Sequence, residues 1–469
     1  MMKINPEIFR GYDIRGLVGT DLTKQIMEQI GRGYGAFLRK RRIFSAISGY
    51  DCRLSSPEFS KSFITGLRRS GIDVIDIGLS LVQMMYWAQY RYCVNGGAYI
   101  SASHNPKEYN GAKLAIGFSN TLVTEEVKEL LKICQKQDFV SGAGKYRKID
   151  VAREYFDDIL KKVKIKKGFK VVIDPSNSTP GKFMPRLLRD AGCEVIEQNC
   201  KLDGNFPSGT PDPTERIIAE RLATRVIAEK ADLGFSFDSD GDRIGIVDDA
   251  GTVIWNDVIV ALFAEDIIES QPGAKIVYNT LCSKLVEETI KKAGGKAIMW
   301  LTGHSFIKEK VAIERAPFGG ELSGHFFFAH NFFGHDDGCY AALRILELIS
   351  RKNQKLSTIL EKMSKYISSP EIKLGCPDNL KFRVVKKLTE QMQKDFPVGK
   401  LTDIDGARLD FVDKMMIIRA SQNGPYLTIK FESKDQKEYD KIQKYLHDLL
   451  KSEKSIDWSF GINVESLKQ

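Results

Sequence analysis

Three stretches of this chain repeat one local pattern: L-R-R-S-G-I-D-V-I over 67–75, L-R-D-A-G-C-E-V-I over 188–196 and I-K-K-A-G-G-K-A-I over 290–298. Each reads as the basic last turn of a helix, a glycine stop and a new strand. Gly71, Gly192 and Gly294 stand just past the helix, where the backbone turns left-handed and only glycine follows without strain. The helix before the first of them carries Phe59, Phe63 and Leu67 four residues apart on one face. Strands over 43–47, 170–173 and 275–278 precede the three helices. Strand, helix, strand, repeated at intervals of about 100 to 120 residues, describes three α/β domains of related build.

A chain of 469 residues exceeds one hydrophobic core and suggests three or four domains. The boundaries expected are 1–149, 150–252 and 253–367 for the related three, and 368–469 for a fourth of different texture. There a helical pattern over 381–396 leads to alternating strands at 409–411, 415–418 and 426–431, then a long helix over 436–450. This is an α+β domain. Ser368, Ser369 and Pro370, followed by Gly375, Cys376 and Pro377, read as a hinge-like connector before it.

Composition removes some function classes. With 42% hydrophobic and 28% charged residues the chain is of the soluble globular kind. Its apolar runs, such as 258–263, are broken by Glu265 and Asp266 well short of a membrane span. The start, M-M-K-I-N-P-E, lacks the apolar core of a signal peptide, so a cytoplasmic location and no membrane partner are expected. Eight cysteines without a C-x-x-C pair argue against zinc and redox motifs and for reduced, mostly buried thiols. The net charge of +9 is spread over pairs such as Lys291-Lys292 and Lys386-Lys387. Such a mild excess suits small anionic molecules as well as nucleic acid, but a nucleic-acid binder would cluster the charge with aromatics, so no nucleic-acid partner is expected.

In α/β domains ligands bind at the loops after the strands. The first domain offers Y-I-S-A-S-H-N-P-K-E-Y-N-G-A-K-L over 99–114, where a strand ends at Ile100 and Asn105-Pro106 closes a turn that sets Ser103 on a loop tip. His104 and Lys113 supply cationic groups nearby. A serine needs a base, a metal or a good leaving group, and phosphoryl transfer, which depends on positioning and charge neutralisation, is such a case. By itself the Ser-His pair reads first as a hydroxyl turn on the surface. The second domain offers Asp238, Asp240 and Asp242 alternating with small residues between two apolar strands, three hard oxygen ligands suited to Mg²⁺. A calcium-binding EF-hand loop would need Gly where Arg243 stands and Glu where Asp249 stands, and is rejected. In the third domain Glu321, Ser323 and His325 form a polar loop suited to sugar hydroxyls, or a plain turn before the core strand over 326–328. In the fourth, Arg419, Ser421, Gln422 and Asn423 with Gly424 form a phosphate cradle or a plain hairpin turn. His104, His304, His325, His330 and His335 lie in or near glycine-rich loops without zinc spacing, and His447 reads as a surface residue of the last helix.

Taken in order, F-R-G-Y-D-I-R-G over 9–16, the serine loop, the three-aspartate loop, T-G-H over 302–304, G-E-L-S-G-H over 320–325 and the Arg419 loop resemble the α-D-phosphohexomutase superfamily. The bacterial phosphomannomutase/phosphoglucomutase branch is the most similar. The resemblance spans nearly the whole chain and implies four domains around a central active-site cleft. It implies that Ser103 is carried as a phosphoserine and that Asp238, Asp240 and Asp242 hold Mg²⁺ with a phosphoserine oxygen. Glu321 and Ser323 would contact sugar hydroxyls, and Arg419, Ser421, Gln422 and Asn423 would bind the phosphate that is not reacting. Tyr12, Arg15, Lys113, Arg243, His304 and His325 would line the cleft, with proton transfer among Lys113, Arg15 and His325. The implied reaction interconverts hexose 1-phosphate and hexose 6-phosphate through a hexose 1,6-bisphosphate, which also serves as activator. The connector near 368–377 would let the fourth domain move. A monomer or weak oligomer is expected, with a small-molecule sugar phosphate as its partner.

Three positions depart from that family pattern. Ser239 replaces Gly or Pro in the metal loop, the phosphate loop reads S-Q-N-G rather than S-N-T, and Leu281 stands where relatives carry a substrate-touching lysine. The alternatives are a mutase of the phosphoglucosamine type, whose members usually carry alanine at Gly241 and another residue at Leu322, and a non-catalytic sugar-phosphate binder.

Overall fold

The computed structural model describes residues 4–166, 168–363 and 365–468. Its repeated unit is the expected one. Helices Ser56–Arg69, Pro180–Asp190 and Lys284–Lys292 each run out just before Gly71, Gly192 and Gly294, whose φ angles are 76°, 86° and 83°. The strands that follow, Asp73–Leu79, Glu194–Glu197 and Lys296–Trp300, pair in parallel with Ser45–Tyr50, Lys170–Asp174 and Lys275–Asn279, the strands that precede the helices. Parallel neighbours joined through a helix are the defining βαβ connection.

The first sheet has six strands in the order Ile14–Leu17, Tyr109–Ile116, Gly96–Ile100, Ser45–Tyr50, Asp73–Leu79 and Tyr146–Lys148. Helices Lys24–Lys40 and Ser56–Arg69 bring Ile26, Met27, Ile30, Tyr34, Phe59, Phe63 and Leu67 into one core with Ala98, Ile100 and Leu114 of the sheet. The second sheet has Leu233–Phe237 parallel to Lys170–Asp174 and antiparallel to Ile244–Val247. The third runs Lys296–Trp300, Lys275–Asn279, Phe318–Gly320, Phe326–Phe328, and sets Phe318, Phe326 and Phe328 edge-to-face around Phe263.

The fourth sheet is antiparallel, Lys400–Thr402, Ala407–Asp410, Lys414–Ala420, Tyr426–Ser433, Ile372–Gly375 and Asp457–Ile462, with helices Lys381–Asp395 and Gln436–Lys451. It corrects the expected connector. Ile367–Ser368 and Ile372–Gly375 both pair with Tyr426–Ser433, so the stretch taken for a hinge is woven into the sheet. Ile372 and Leu374 alternate with Lys373 and go fully into the core, which outweighs the Ser-Pro character of the flanks.

By the density of their contacts the residues fall into two compact units. One gathers the chain as far as Pro213 with Ile217–Val253 and Asn331–Thr358; the other holds Thr214–Arg216, Ile254–His330 and the chain from Ile359 onward. All eight cysteines are free thiols, and only Cys93 is exposed. Among the described residues no helix is long and apolar enough to cross a membrane.

Candidate active site

In the first unit Ser103 does not stand on an exposed tip. It is only 3% exposed, with φ of +49°, a left-handed conformation that costs a non-glycine residue of order 1 kcal/mol or more. What holds it there is Arg53, a fully buried side chain whose guanidinium gathers the loop's carbonyl oxygens. It donates to those of Ser103 and Asn105, both at 2.6 Å, of Pro106 at 2.7 Å and of Tyr109 at 3.1 Å. Its Nε donates to Asp51 at 3.1 Å. Asp51 in turn accepts from the hydroxyls of Ser56, Ser101 and Ser239, and the Ser103 amide donates to the Ser101 hydroxyl at 2.7 Å. Ser239, the departure in the metal loop, thus ties that loop to the serine loop.

The Ser103 hydroxyl donates to Asp238 at 2.7 Å and lies 3.2 Å from Nδ1 of His104. Asp238, Asp240 and Asp242 are all fully buried, with ligand oxygens within 4.8 Å of one another. At an effective dielectric near 20 each such pair repels by roughly 3 kcal/mol, so compensation is required. Part comes from Lys113, whose ammonium lies 2.8 Å from Asp240 and 2.5 Å from Asp242. Burial and the neighbouring Asp240 and Asp242 push the Asp238 carboxyl well up. For Asp240 the opposite holds, because Lys113 outweighs burial and keeps its carboxyl low. Lys113 is itself desolvated, yet Asp240 and Asp242 hold it firmly protonated.

Three acidic side chains gather at one ammonium, and one oxygen of Asp240 is buried with no hydrogen-bond partner. Hard oxygens from three carboxylates and an unsatisfied lone pair fit a divalent cation. The turn is braced from behind: the Val82 amide donates to the Asp240 carbonyl at 3.0 Å, and Gln83 Nε2 to that of Gly241 at 2.9 Å. The amides of Gly241 and Arg243 both donate to Asp238 at 3.1 Å. Arg15, opposite Gly111 in the sheet and so on the same face as Lys113, is clamped by Asp13 and donates to the Ser101 carbonyl at 3.0 Å. Burial acts against its charge, but Asp13 and Asp240 raise its pKa further. Tyr12, just before that strand, is buried.

In the second unit Glu321 is buried after strand Phe318–Gly320, and its carboxylate accepts from the Gly303 amide at 2.7 Å. That amide precedes helix His304–Glu314, where a carboxylate meets the positive end of the helix dipole. The rings of His304 and His325 stack with centroids 5.4 Å apart, and Ser323 is half-exposed. Asn279 accepts from the Leu322 amide at 3.2 Å and fixes this loop against the strand end. Arg419 and Ser421 are buried, whereas Gln422 and Asn423 are half-exposed. The Ser421 hydroxyl accepts from the Asn423 amide at 3.1 Å, and Lys381 ties down the Gly424 carbonyl at 3.0 Å. The predicted residues therefore gather into a serine-acidic cluster in one unit and two groups of polar loop residues, around Glu321 and around Arg419, in the other. The sequence reading passed over Asp51, Arg53, Gln83 and Asp405. Only D-C-R after the strand over 43–47 carried a signal, being charged residues at the carboxyl end of a strand.

A buried serine hydroxyl against three carboxylates that could hold a metal ion, on a tandem of α/β domains, suits a metal-dependent phosphoryl-transfer enzyme. Family models bear this out: residues 6–141, 153–251 and 255–366 match phosphoglucomutase/phosphomannomutase alpha/beta/alpha domains I, II and III. The chain is 37% identical over 445 residues to the phosphomannomutase/phosphoglucomutase of Pseudomonas aeruginosa, covering 95% of this chain and 96% of that one. It is 36% identical to the phosphoglucomutase of Neisseria gonorrhoeae, covering 98% and 100%. A crystal structure of a phosphoglucomutase/phosphomannomutase family protein from Burkholderia thailandensis superposes with a TM-score of 0.89 at 32% identity, covering 96% and 98%. The chain belongs to the phosphoglucomutase/phosphomannomutase family, isomerases of the magnesium-dependent phosphohexomutase type.

Proposed function

We propose that the protein interconverts hexose 1-phosphate and hexose 6-phosphate of mannose, glucose or both, through a phosphoserine at Ser103 and a bound hexose 1,6-bisphosphate that also serves as activator. The observation that carries this is the Ser103 hydroxyl 2.7 Å from Asp238, inside a buried cluster of three carboxylates that could hold a metal ion. We read the chain as four domains, 1–149, 150–252, 253–367 and 368–469.

In the forward direction the phosphoryl group on Ser103 passes to the free hydroxyl of a hexose 1-phosphate. The Ser103 oxygen leaves as an alkoxide, and the hydroxyl proton goes to a base. The bisphosphate turns round and returns its other phosphoryl group to Ser103. When bound, magnesium held by Asp238, Asp240 and Asp242 supplies positive charge for the phosphoryl oxygens. Arg15 and Lys113, kept cationic by their carboxylate partners, stabilise charge on the transferring group. Proton transfer falls among Lys113, Arg15 and His325. Arg419, Ser421, Gln422 and Asn423 bind the phosphate at rest, Glu321 and Ser323 read the ring hydroxyls, and Tyr12, Arg243 and His304 complete the lining.

Support for mannose and glucose over glucosamine comes from Gly241. Its φ is +80°, and an added Cβ would fall 2.9 Å from Leu81, so the turn disfavours the alanine usual in the glucosamine type. The test is intact mass before and after phosphatase treatment, with turnover of mannose, glucose and glucosamine 1-phosphates. Loss of one phosphate mapped to Ser103, and a Ser103→Ala protein without turnover, are the expected results; full activity in Ser103→Ala overturns the reading.

A further inference from the structure

One buried polar assembly in the second unit is centred on residues to which the chemistry above gives no role. It is built on D-G-A-R over 405–408, which leads into the strand Ala407–Asp410. A single oxygen of Asp405, Oδ2, accepts three hydrogen bonds of 2.9 Å, from Nε of Arg419, from the hydroxyl of Thr280 and from the amide of Thr302. These donors belong to three different loops. Arg419 opens the phosphate loop, Thr280 precedes Leu281 at the end of strand Lys275–Asn279, and Thr302 opens the loop to His304. Three residues further on, the buried Arg408 donates Nη1 to the carbonyls of Thr280 and Cys282, both at 2.6 Å. These two carbonyls flank Leu281. The other edge of the guanidinium is occupied by Asp410, with two contacts of 2.9 Å.

We propose that Asp405, supported by Arg408, is a positioning residue that fixes the separation between the phosphate loop and the two loops at Leu281 and His304, so that the site gauges the reach from the resting phosphate to the sugar ring. This rests on the phosphate-binding role proposed for Arg419. A bond to Nε settles the plane of the guanidinium, on which two-pronged recognition of a phosphate depends. Arg408 does the same for the backbone on either side of Leu281. Burial favours a neutral Asp405, yet Arg419 and the Thr302 bonds hold its carboxyl below the ordinary range, in keeping with a charged group engaged on all sides. A carboxylate serving merely as packing would draw its donors from one neighbour rather than from three ligand loops.

The test compares wild type, Asp405→Asn, Arg419→Ala and the double variant, by calorimetric binding of glucose 1-phosphate, steady-state kinetics and thermal melting. Losing a charge-assisted hydrogen bond costs about tenfold or more in affinity. Asp405→Asn is therefore expected to raise Kd and KM about tenfold or more, with kcat within about threefold and the melting temperature nearly unchanged. In the Arg419→Ala background the same change should add less than about twofold, because the group it orients is gone. Equal losses in both backgrounds, or a kcat that falls with the melting temperature, overturn the proposal. Should Asp405→Asn fail to fold, Thr280→Val removes one of the three donors at a distance from Arg419, and an unchanged KM there overturns it equally. A wild type that binds glucose 1-phosphate without isomerising it defeats the mutase reading and leaves the binding comparison standing. Normal turnover with an unchanged KM in Asp405→Asn defeats only the positioning role.

Discussion

The serine-acidic cluster of the first unit and the ligand loops of the second solve opposite problems. In the first, charge is sealed away: Ser103, Lys113, Arg15 and the three aspartates are nearly inaccessible, and Lys113 pairs with Asp240 and Asp242 while Arg15 pairs with Asp13. In the second, Ser323, Gln422 and Asn423 stay half-exposed, and the buried members, Glu321 and Asp405, face inward to hold backbone amides and an arginine. Charge that must stabilise a transition state gains from a dry, prearranged setting. Groups that must recognise a passing molecule have to remain open to it.

The contrast is broken most severely by neutralising one buried carboxylate. Asp240→Asn strips Lys113 of a partner and the cluster of a ligand, and kcat should fall about a thousandfold, as for loss of one preorganised charge, with KM little altered. An unchanged kcat at saturating magnesium would place the chemistry elsewhere. Ser323→Ala probes the open half. There KM for hexose 1-phosphate should rise about threefold to tenfold, the worth of one neutral hydrogen bond, with kcat nearly kept. A selective fall in kcat would show that this hydroxyl acts on the transition state.

The smallest effect sharpens the electrostatic side. Asp337 caps helix Gly338–Lys352 through the Tyr340 amide at 2.9 Å and accepts from the Tyr155 hydroxyl at 2.7 Å. Burial pushes its carboxyl up to about 7, opposed by those hydrogen bonds. The folded state thus holds a proton that the unfolded chain releases near pH 4, and stability from this group fades as pH rises through about 7. Asp337→Asn keeps the cap without the charge, so its melting temperature should match wild type near pH 4.5 and exceed it by a few degrees at pH 8. A difference independent of pH would show that Asp337 is ionised throughout.

Much of this was legible in the sequence where the determinant is local. Gly71, Gly192 and Gly294 announce their turns because a left-handed residue after a basic helix end is a property of a few neighbours. Asp238, Asp240 and Asp242 announce their cluster because alternation in a tight turn suffices. Asp51, Arg53, Gln83 and Asp405 could not be found that way. Arg53 meets its carbonyls some fifty residues downstream and Gln83 meets Gly241 158 residues away, pairings that only the folded sheets create. The connector near 368–377 failed for a related reason. Its serines and prolines are local signals, whereas the pairing of Ile372–Gly375 with Tyr426–Ser433 is not.

The serine turn takes its shape from main-chain oxygens drawn onto Arg53, and the side-chain oxygen of Ser103 takes no share in that scaffolding. On the proposed reading, cargo loaded onto or removed from that oxygen would leave the frame beneath it standing. A carrier built this way would start every cycle from one shape, with no refolding step between deliveries.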